Sequence, residues 1–439
     1  MIKIAGKHTE AIVFIDDIEP LCLQQIQDMC DNEAFTNPIR IMPDTHYGSG
    51  SVIGFTMPLG NKLISNVIGK DVGCGILTVN IGKVKIDRVK LEKEIKSAIP
   101  LGSNTYKTSQ VTDDELQWVF NQSFLDLQFF TAKYNCKFNT NFIPIIYDVE
   151  WLTHNLKKVG ETMQHFLCSI GTMGSNNHYI EIGQDDRTSE IFVTVHSGSR
   201  YYGGKVCDYH QKVAVDNHVR SFGQITDLKK ARAEIIEKYK YSNSADKKNI
   251  QTEIDALQKK VSSYKPTGLE YLTGQDMYNY CVDMIFAQNY AKLNRKKMID
   301  IILKTNHLKG CLPLERIESI HNYIDFNTLM IRKGAIRSYV DEKMVIPFNM
   351  SVGMIICTGK GNPEWNFSAP HGAGRIKSRN QAKKDIDIDT YKQQMKNADV
   401  YSTSVSLETL DEAPDAYKSP ILRVVKPIIN IKDDTKKRY

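Results

Sequence analysis

The segment Gly69-Lys-Asp-Val-Gly-Cys-Gly75 leads directly into the apolar run Ile76-Leu-Thr-Val79. The apolar run is typical of a strand, and the glycine-rich segment before it is typical of a loop. Asp71 and Cys74 lie three positions apart in that loop, so both side chains can turn toward one point. A carboxylate and a thiolate are both anionic metal ligands. Taken alone, the pair is more often a buried cysteine beside a turn residue, so this segment predicts a strand-and-loop architecture with a candidate metal site.

The rest of the chain repeats this alternation of short strands and glycine loops, most clearly over residues 1–90 and 340–432. Residues 110–165 and 273–304 instead carry apolar side chains at helical spacing. We therefore predict an α+β (mixed αβ) fold. It is expected to form one large domain over residues 1–439, with a central β core and surrounding helices.

Residues 225–262 differ from their surroundings in composition and in the spacing of apolar residues. Apolar residues recur at helical spacing in two arms, and the segment 241–246 between them has the composition of a turn. We predict a helical-hairpin insertion within the domain. Charge runs are usually solvated faces, so a structural role is favoured for it over a dedicated RNA arm.

Composition excludes several classes of protein. Of 439 residues, 41% are hydrophobic and 25% are charged, which supports a packed core and argues against disorder. No apolar run approaches the roughly 18 residues of a membrane span, and the N-terminus lacks a signal-peptide pattern, so no membrane association is expected. Nine cysteines without a CxxC pair favour a reducing compartment, and we expect a cytoplasmic protein. The net charge of +6 is compatible with a nucleic-acid partner without establishing one.

Four further segments place a histidine beside turn residues. They are Gly174-Ser-Asn-Asn-His-Tyr-Ile-Glu181, Val193-Thr-Val-His-Ser-Gly-Ser-Arg200, Ser319-Ile-His-Asn-Tyr323 and Ala369-Pro-His-Gly-Ala-Gly-Arg375. Ser-Gly-Ser followed by arginine suits a phosphate, and the Gly-Ala-Gly turn lets a ligand approach the backbone. Each histidine taken singly is as readily explained by a hydrogen-bonded turn.

The combination of segments is more informative than any one of them. One aspartate, one cysteine and three histidines suit Zn, Mn, Fe or Co, and a fourth histidine, His371, is a competent nucleophile toward phosphorus. From this chemistry alone we predict a metal-assisted enzyme that acts on a phosphate-containing substrate, either a nucleotide or a nucleic acid.

In this order, the segments resemble the RtcB family of RNA-splicing and repair ligases. The resemblance begins at Met42-Pro-Asp-Thr-His-Tyr-Gly-Ser-Gly50, includes Arg332-Lys-Gly-Ala335 and ends at Lys432, so it covers nearly the whole chain. It implies a distinctive αβ fold, with GTP and two Mn²⁺ ions as cofactors. The implied reaction joins RNA 3′-phosphate or 2′,3′-cyclic phosphate ends to 5′-hydroxyl ends, in RNA repair or tRNA splicing. We expect a monomer, and the resemblance leaves an activating protein partner open.

The resemblance also implies a role for individual residues. Five residues resemble the metal ligands, with the thiolate bridging both ions: Asp71, Cys74, His178, His196 and His321. His371 resembles the nucleophile that attacks the α-phosphate of GTP to form a His–GMP phosphoramidate, from which GMP activates the RNA 3′-phosphate. The implied GTP and GMP contacts are Asn177, His178, Tyr179, Ile180, Glu181, His321, Asn322, Pro347, Phe348, Asn349, Met350, Met354, His371, Gly372, Ala373, Gly374 and Lys432. Arg200 and Arg375 are expected to hold RNA phosphates.

Three positions on the nucleotide side depart from the family's usual residues, namely Phe348, Met354 and Pro370. They leave the ligand set and His371 intact and bear on nucleotide use and rate, as in a divergent repair-type member. Two alternatives therefore stay open. One is a catalytically silent, metal-containing protein that binds RNA ends, and the other is a metal-dependent phosphodiesterase that acts on 2′,3′-cyclic ends.

Overall fold

The computed structural model describes residues 1–223, 228–240, 248–418 and 425–435. Strands and helices are mixed along the chain, which confirms the predicted α+β class. Within these ranges, no helix combines the length and the apolar character that a membrane crossing requires.

Short strands dominate both ends of the chain, and the long helices lie in its middle. The strands are β1 (Ile2–Ala5), β2 (Glu10–Val13), β3 (Ile39–His46), β4 (Ile53–Pro58), β5 (Gly75–Asn80), β6 (Tyr179–Asp185), β7 (Ile191–Ser197), β8 (Glu315–Ile320), β9 (Asn322–Asp325), β10 (Met330–Lys333), β11 (Ala335–Arg337), β12 (Lys343–Pro347), β13 (Met354–Thr358), β14 (Ser368–Pro370) and β15 (Val425–Lys432). The helices are α1 (Pro20–Cys30), α2 (Ser65–Ile68), α3 (Arg88–Ala98), α4 (Asp113–Phe138), α5 (Val149–Val159), α6 (Met163–Ser169), α7 (Arg200–Gly223), α8 (Leu228–Lys238), α9 (Lys248–Ser262), α10 (Gly274–Ile302), α11 (Arg379–Asp385) and α12 (Ile388–Asn397). Short 3₁₀ helices cover Pro363–Trp365, Leu407–Glu412 and Pro414–Ala416.

Two large sheets and one small pair organise the strands. One sheet has the order β1-β2-β3-β4-β10-β9, the second has the order β12-β13-β15-β6-β7-β5-β8, and β11 pairs with β14. The second sheet curls so that its two end strands approach each other. The backbone N–H of Val345 on β12 donates to Ser319 Oγ on β8 at 2.9 Å. We call this junction of β8 and β12 the seam.

The long helices α4 and α10 pack against each other and carry much of the core, and α10 contacts the core of both sheets. Helix α4 begins with a capping box formed by Thr112 and Glu115 and ends at Asn139, which has a φ of 51°. Helix α10 begins after Thr273, and nearly all of its length is buried. One core cluster joins α10 to the aromatic side chains of α4, and a second joins its C-terminal turns to β6, β7 and β15. Burial of these apolar faces is the main force that holds the helices to the sheets.

Helices α8 and α9 fall within residues 225–262 and pack against each other, with Lys238 Nζ 2.7 Å from Glu253 Oε1. The segments 225–227 and 241–247, which include the predicted turn at 241–246, lie outside the described residues. The helical-hairpin insertion therefore stays a prediction.

Candidate functional site

The register of three adjacent strands brings distant metal-type ligands to one end of the second sheet. Gly75 on β5 pairs with Ser197 on β7 and with Ile320 at the end of β8. The residues that adjoin Gly75, Ser197 and Ile320 in the sequence therefore lie at the same end of the sheet. These residues are Cys74, His196 and His321.

Five ligand side chains form two groups that share the sulfur of Cys74. In one group, Cys74 Sγ lies 3.4 Å from His196 Nε2, which lies 3.3 Å from His321 Nε2. In the other, Cys74 Sγ lies 3.4 Å from His178 Nε2, which lies 2.8 Å from Asp71 Oδ2. The ligand atoms of each group lie within 4.8 Å of one another. This arrangement fits two cations that share one thiolate.

The protonation states of these side chains also fit cation binding. Burial lowers the pKa of His196 and of His321, so both imidazoles are neutral and offer lone pairs. Burial and the neighbouring Asp71 carboxylate raise the pKa of the Cys74 thiol. Such a thiol loses its proton when a cation binds it. Nitrogen, sulfur and carboxylate donors together suit a borderline-soft divalent metal, as the sequence predicts.

Buried polar side chains hold the ligand loops in place. The guanidinium of Arg295 is fully buried, and its Nη1 donates to the carbonyls of Gly73 at 2.7 Å and Ser197 at 2.9 Å. Asn322 Nδ2 donates to the carbonyl of Asp71 at 3.3 Å, and Asn322 Oδ1 accepts from the backbone N–H of Gly334 at 3.1 Å. The structure thus uses the Asn322 carboxamide to support the Asp71 loop, although the sequence predicts a nucleotide contact there.

A cavity, which we call the His371 cavity, opens beside these ligands. Most of the predicted nucleotide contacts line it, as does Arg375. Those contacts are Asn177, Tyr179, Glu181, Pro347, Phe348, Asn349, Met350, His371, Gly372, Ala373, Gly374 and Lys432. The metal-type ligand His196 also reaches its wall, so the cavity and the ligand groups adjoin.

The His371 imidazole is oriented by Asp44. Asp44 Oδ2 lies 2.7 Å from His371 Nδ1, and it accepts the backbone N–H groups of His371 at 3.0 Å and Gly372 at 3.2 Å. Because a carboxylate oxygen accepts, Nδ1 is the nitrogen that donates to Asp44, and in the neutral tautomer the lone pair then lies on Nε2. The ring centroid lies 4.9 Å from that of His321. The contact with Asp44 thus fixes the His371 ring beside the metal-type ligands.

Several polar atoms in the wall of the His371 cavity have no hydrogen-bond partner among the described residues. They are Tyr179 Oη, Glu181 Oε1, Arg375 Nη1 and Asn430 Oδ1, and all are buried. Burial raises the pKa of Glu181 to about 7, although Asn430 Nδ2 donates to its Oε2 at 2.9 Å. Buried polar groups normally have hydrogen-bond partners, so this wall fits a ligand that presents both donors and acceptors.

A buried ion-pair network forms the far side of the same cavity. Lys432 Nζ lies 2.7 Å from Glu412 Oε2 and 4.8 Å from the centre of the Tyr179 ring. Arg379 pairs with Glu412 as well and donates to Asp411 Oδ2 at 2.6 Å. Although burial opposes ionisation of Glu412, Lys432 and Arg379 hold its pKa well below the usual value. The network holds the Lys432 ammonium within the cavity wall.

Three predicted site residues lie elsewhere. Ile180 is fully buried in the second core cluster, because it points to the opposite face of β6 from Tyr179. Met354 lies in the core beneath the sheet, and its sulfur accepts from the Thr194 hydroxyl at 3.6 Å. Arg200 donates from Nε to Thr172 Oγ1 at 2.7 Å and from Nη2 to the carbonyl of Gly102 at 2.9 Å, so its guanidinium braces loops. None of the three is a lining residue of the His371 cavity.

Other lining or supporting residues were not among the predicted site residues: Asp44, His46, Arg379, Glu412, Tyr417 and Asn430. Asp44 and His46 belong to a motif used for the resemblance, and burial lowers the pKa of His46 to about 4. Asn430 lies two residues before Lys432 on β15, so strand alternation indicates the same face. Glu412 lies in a 3₁₀ helix and carries no signal in the sequence.

Comparison with known proteins agrees with this geometry. The profile of the family described as tRNA-splicing ligase RtcB matches residues 25–432. The chain belongs to the RtcB family. It is 26% identical over 398 residues to the RNA-splicing ligase RtcB of Escherichia coli strain K12, covering 87% of this chain and 83% of the relative. It is 23% identical over 466 residues to the tRNA-splicing ligase RtcB of Aeropyrum pernix, covering 93% and 89%, respectively. It is 23% identical over 504 residues to the RNA-splicing ligase RtcB homolog 2 of Entamoeba dispar, covering 98% and 90%.

Proposed function

We propose that this RtcB-family chain is a GTP-dependent RNA ligase that joins 3′-phosphate or 2′,3′-cyclic phosphate ends to 5′-hydroxyl ends, in RNA repair or tRNA splicing. The names of its bacterial, archaeal and eukaryotic relatives support RNA ligation as the reaction class. The observation that carries the chemistry is the orientation of His371. Its Nδ1 is tied to Asp44, which leaves the lone pair of Nε2 free at a cavity that adjoins the metal-type ligands.

In the proposed first step, His371 Nε2 attacks the α-phosphate of GTP. A phosphorus–nitrogen bond forms, the bond to the β-phosphate oxygen breaks, and pyrophosphate leaves. Asp44 stabilises the positive charge that develops on the imidazole as this bond forms. An oxygen of the RNA 3′-phosphate then displaces His371 and takes the guanylate. A 2′,3′-cyclic end must first be hydrolysed to the 3′-phosphate.

In the last step, the RNA 5′-hydroxyl attacks the activated 3′-phosphate and GMP leaves. Two Mn²⁺ ions held by Asp71, Cys74, His178, His196 and His321 would act as Lewis acids that neutralise phosphate charge. Arg375 lines the His371 cavity, and its buried Nη1 makes no hydrogen bond although it lies 3.9 Å from Glu412 Oε1, which supports a role in holding phosphate.

The polar wall of the His371 cavity supports guanine as the base. Guanine presents an N2–H donor group and an O6 acceptor. The ionised Glu181 carboxylate offers an acceptor and the Lys432 ammonium offers donors. Because adenine carries an amino group where guanine carries O6, it would place a donor against Lys432. GTP is therefore preferred over ATP in this proposal.

The biological setting belongs to the same proposal. All nine cysteines are unpaired, which supports a cytoplasmic location. A monomer accounts for the site, because each residue discussed comes from one chain. RNA is the macromolecular substrate, and a protein that activates the ligase remains compatible with the arrangement.

A joining assay tests the proposal directly. Purified protein with Mn²⁺ is given RNA with either a 3′-phosphate or a 2′,3′-cyclic phosphate end, together with a 5′-hydroxyl end, and with GTP, ATP or no nucleotide in parallel. We expect joined RNA with GTP and none for His371→Ala. Binding of RNA ends without guanylate transfer would favour the silent end-binding protein. Opening of a cyclic phosphate without joining and without a GTP requirement would favour the phosphodiesterase.

A further inference from the structure

A second cavity lies at the seam of the second sheet. Its walls come from β8, β9 and β12 on one side and from α4 and α10 on the other. We call it the seam cavity. None of the residues assigned to metal or GTP binding above is among its lining residues.

The seam cavity lies directly behind the metal-type ligand loops. A Cβ placed on Gly73 would come within 2.9 Å of the Cα of Gln288, which lines the seam cavity, so loop and cavity wall are in contact. Glu318, another lining residue, accepts from Nε of Arg295 at 3.0 Å and from its Nη2 at 2.8 Å. The same guanidinium holds the carbonyls next to Cys74 and His196. A ligand in the seam cavity would thus lie close to the reacting ends.

A buried amide in this cavity lacks a partner. The Gln288 side chain is 5% exposed, and its Nε2 has no hydrogen-bond partner among the described residues. An unpaired buried donor of this kind is destabilising unless a ligand or water satisfies it. The position therefore indicates an acceptor atom on a bound molecule.

The carboxylates of the wall disfavour an anionic group inside the cavity. Asp126 accepts from Gln122 Nε2 at 3.0 Å and from Asn289 Nδ2 at 2.9 Å. The remaining lining carboxylates also have partners: Glu318 with Arg295, Asp325 with Arg332, and Glu342 with Arg337. These pairings leave no lining carboxylate without a partner.

The rim of the seam cavity carries an exposed ring and two lysines. Phe129 is 45% exposed, and Lys292 and Lys343 are exposed residues that line the same cavity. Lys343 also pairs with Glu315 on the surface. An aromatic face stacks on any base, and nearby cations follow a nucleic-acid backbone. This combination is typical of contacts with single-stranded RNA.

We propose that the seam cavity binds one unpaired nucleobase of the RNA strand. The base stacks on Phe129 and presents an acceptor to Gln288 Nε2, while Lys292 and Lys343 contact the flanking phosphates. This inference rests on the proposed function, because that function supplies the RNA. It adds a site that holds the strand behind the metal-type ligands and takes no part in guanylate transfer.

The test measures RNA binding and guanylate transfer separately. The binding probe is a fluorescent single-stranded RNA with a 3′-phosphate, followed by anisotropy in the absence of GTP. Phe129→Ala is expected to raise Kd about tenfold, within the range for loss of one base–aromatic stack. The matched control is Phe222→Ala, which removes another exposed phenylalanine, 49% exposed on α7. Labelling of His371 by GTP without RNA is expected to be unchanged in both variants.

Two further variants test the polar part of the site. Gln288→Leu is expected to raise Kd about fivefold, the loss of one net hydrogen bond. The double variant Lys292→Gln/Lys343→Gln is expected to reduce the slope of log Kd against log salt by about 1.4, from two phosphate contacts on a single strand. The double variant changes only exposed side chains, so it still tests the seam site if Gln288→Leu fails to fold.

The outcomes separate this inference from the proposed function. If Phe129→Ala and the double-lysine variant bind RNA like the wild type, the seam site is wrong, whatever happens at His371. A crosslinking measurement at the seam cavity gives a further outcome. If a bound nucleoside monophosphate blocks crosslinking there and bound RNA does not, the site binds a small effector and the inference is also overturned. If the wild type takes no guanylate but these variants lose RNA affinity, the seam site stands and the ligase proposal fails.

Discussion

Replacing Asp44 by asparagine should slow guanylylation of His371 about a hundredfold with little effect on folding. Asparagine can keep the two backbone bonds from His371 and Gly372 through its carbonyl oxygen, but it has no charge to set against the developing imidazolium. A hydrogen bond to a charged group contributes roughly 1.5–3 kcal/mol. At about 1.36 kcal/mol per factor of ten in rate, loss of 2–3 kcal/mol from the transition state gives roughly 30- to 150-fold. If the amide instead turned its NH₂ toward Nδ1, the proton would move to Nε2 and block attack.

The assay is the rate at which the protein takes up radioactive GMP from α-labelled GTP in a single turnover with Mn²⁺. The matched control is Asp185→Asn, which alters another buried carboxylate that accepts two backbone N–H groups, from Arg187 at 2.7 Å and Thr188 at 2.9 Å. Thermal midpoints of both variants report on folding. A folded Asp44→Asn protein that labels as fast as Asp185→Asn would refute the orienting role of Asp44.

Three further predictions concern the metal-type ligands, the base contact and the buried scaffold. Cys74→Ala should reduce the amount of bound Mn²⁺, because both ligand groups lose their shared sulfur. Elemental analysis after dialysis measures this, and full metal content would show that the thiol is not a ligand. GTP affinity measured by calorimetry should rise between about pH 6 and pH 8, since the pKa of Glu181 is about 7 and its ionised form is the stronger acceptor for guanine N–H groups. Glu181→Gln should flatten this profile, and a profile as steep as that of the wild type would exclude Glu181 as the titrating group. Arg295→Met should lower the free energy of unfolding by about 3–5 kcal/mol in denaturant titrations, because Glu318 and two carbonyls lose a buried partner. A change below about 1 kcal/mol would contradict the role of Arg295 in supporting the ligand loops.

The sequence singles out candidate ligands by residue type and position, since Asp71 and Cys74 lie in a glycine-flanked loop and His196 lies near the end of a β-branched strand. What it does not contain is the pairing of those strands. Cys74, His196 and His321 meet because β7 and β8 both pair with β5 in matching register. Such long-range pairing follows from the whole fold, so the sequence supports the set of ligands without giving their distances.

The nucleotide side is harder to predict because side-chain direction decides it. Tyr179 and Glu181 face the His371 cavity, while the side chain of Ile180 between them faces the core. The predicted nucleotide contact of residues 179–181 therefore does not extend to the Ile180 side chain. Met354 lies on a short strand whose inward face the sequence alone does not reveal. Glu412 approaches Lys432 only through the packing of a 3₁₀ helix against β15. None of these distances is encoded in a local pattern.

The transfer of guanylate from His371 to RNA is the central claim, and a pulse–chase experiment measures it. The protein is first loaded with radioactive GMP and freed of GTP, and RNA with 3′-phosphate and 5′-hydroxyl ends is then added. The account predicts that label leaves the protein, passes through the RNA 3′ end and appears as GMP in amounts equal to the joined ends. Joined RNA formed while the label stays on the protein would contradict it.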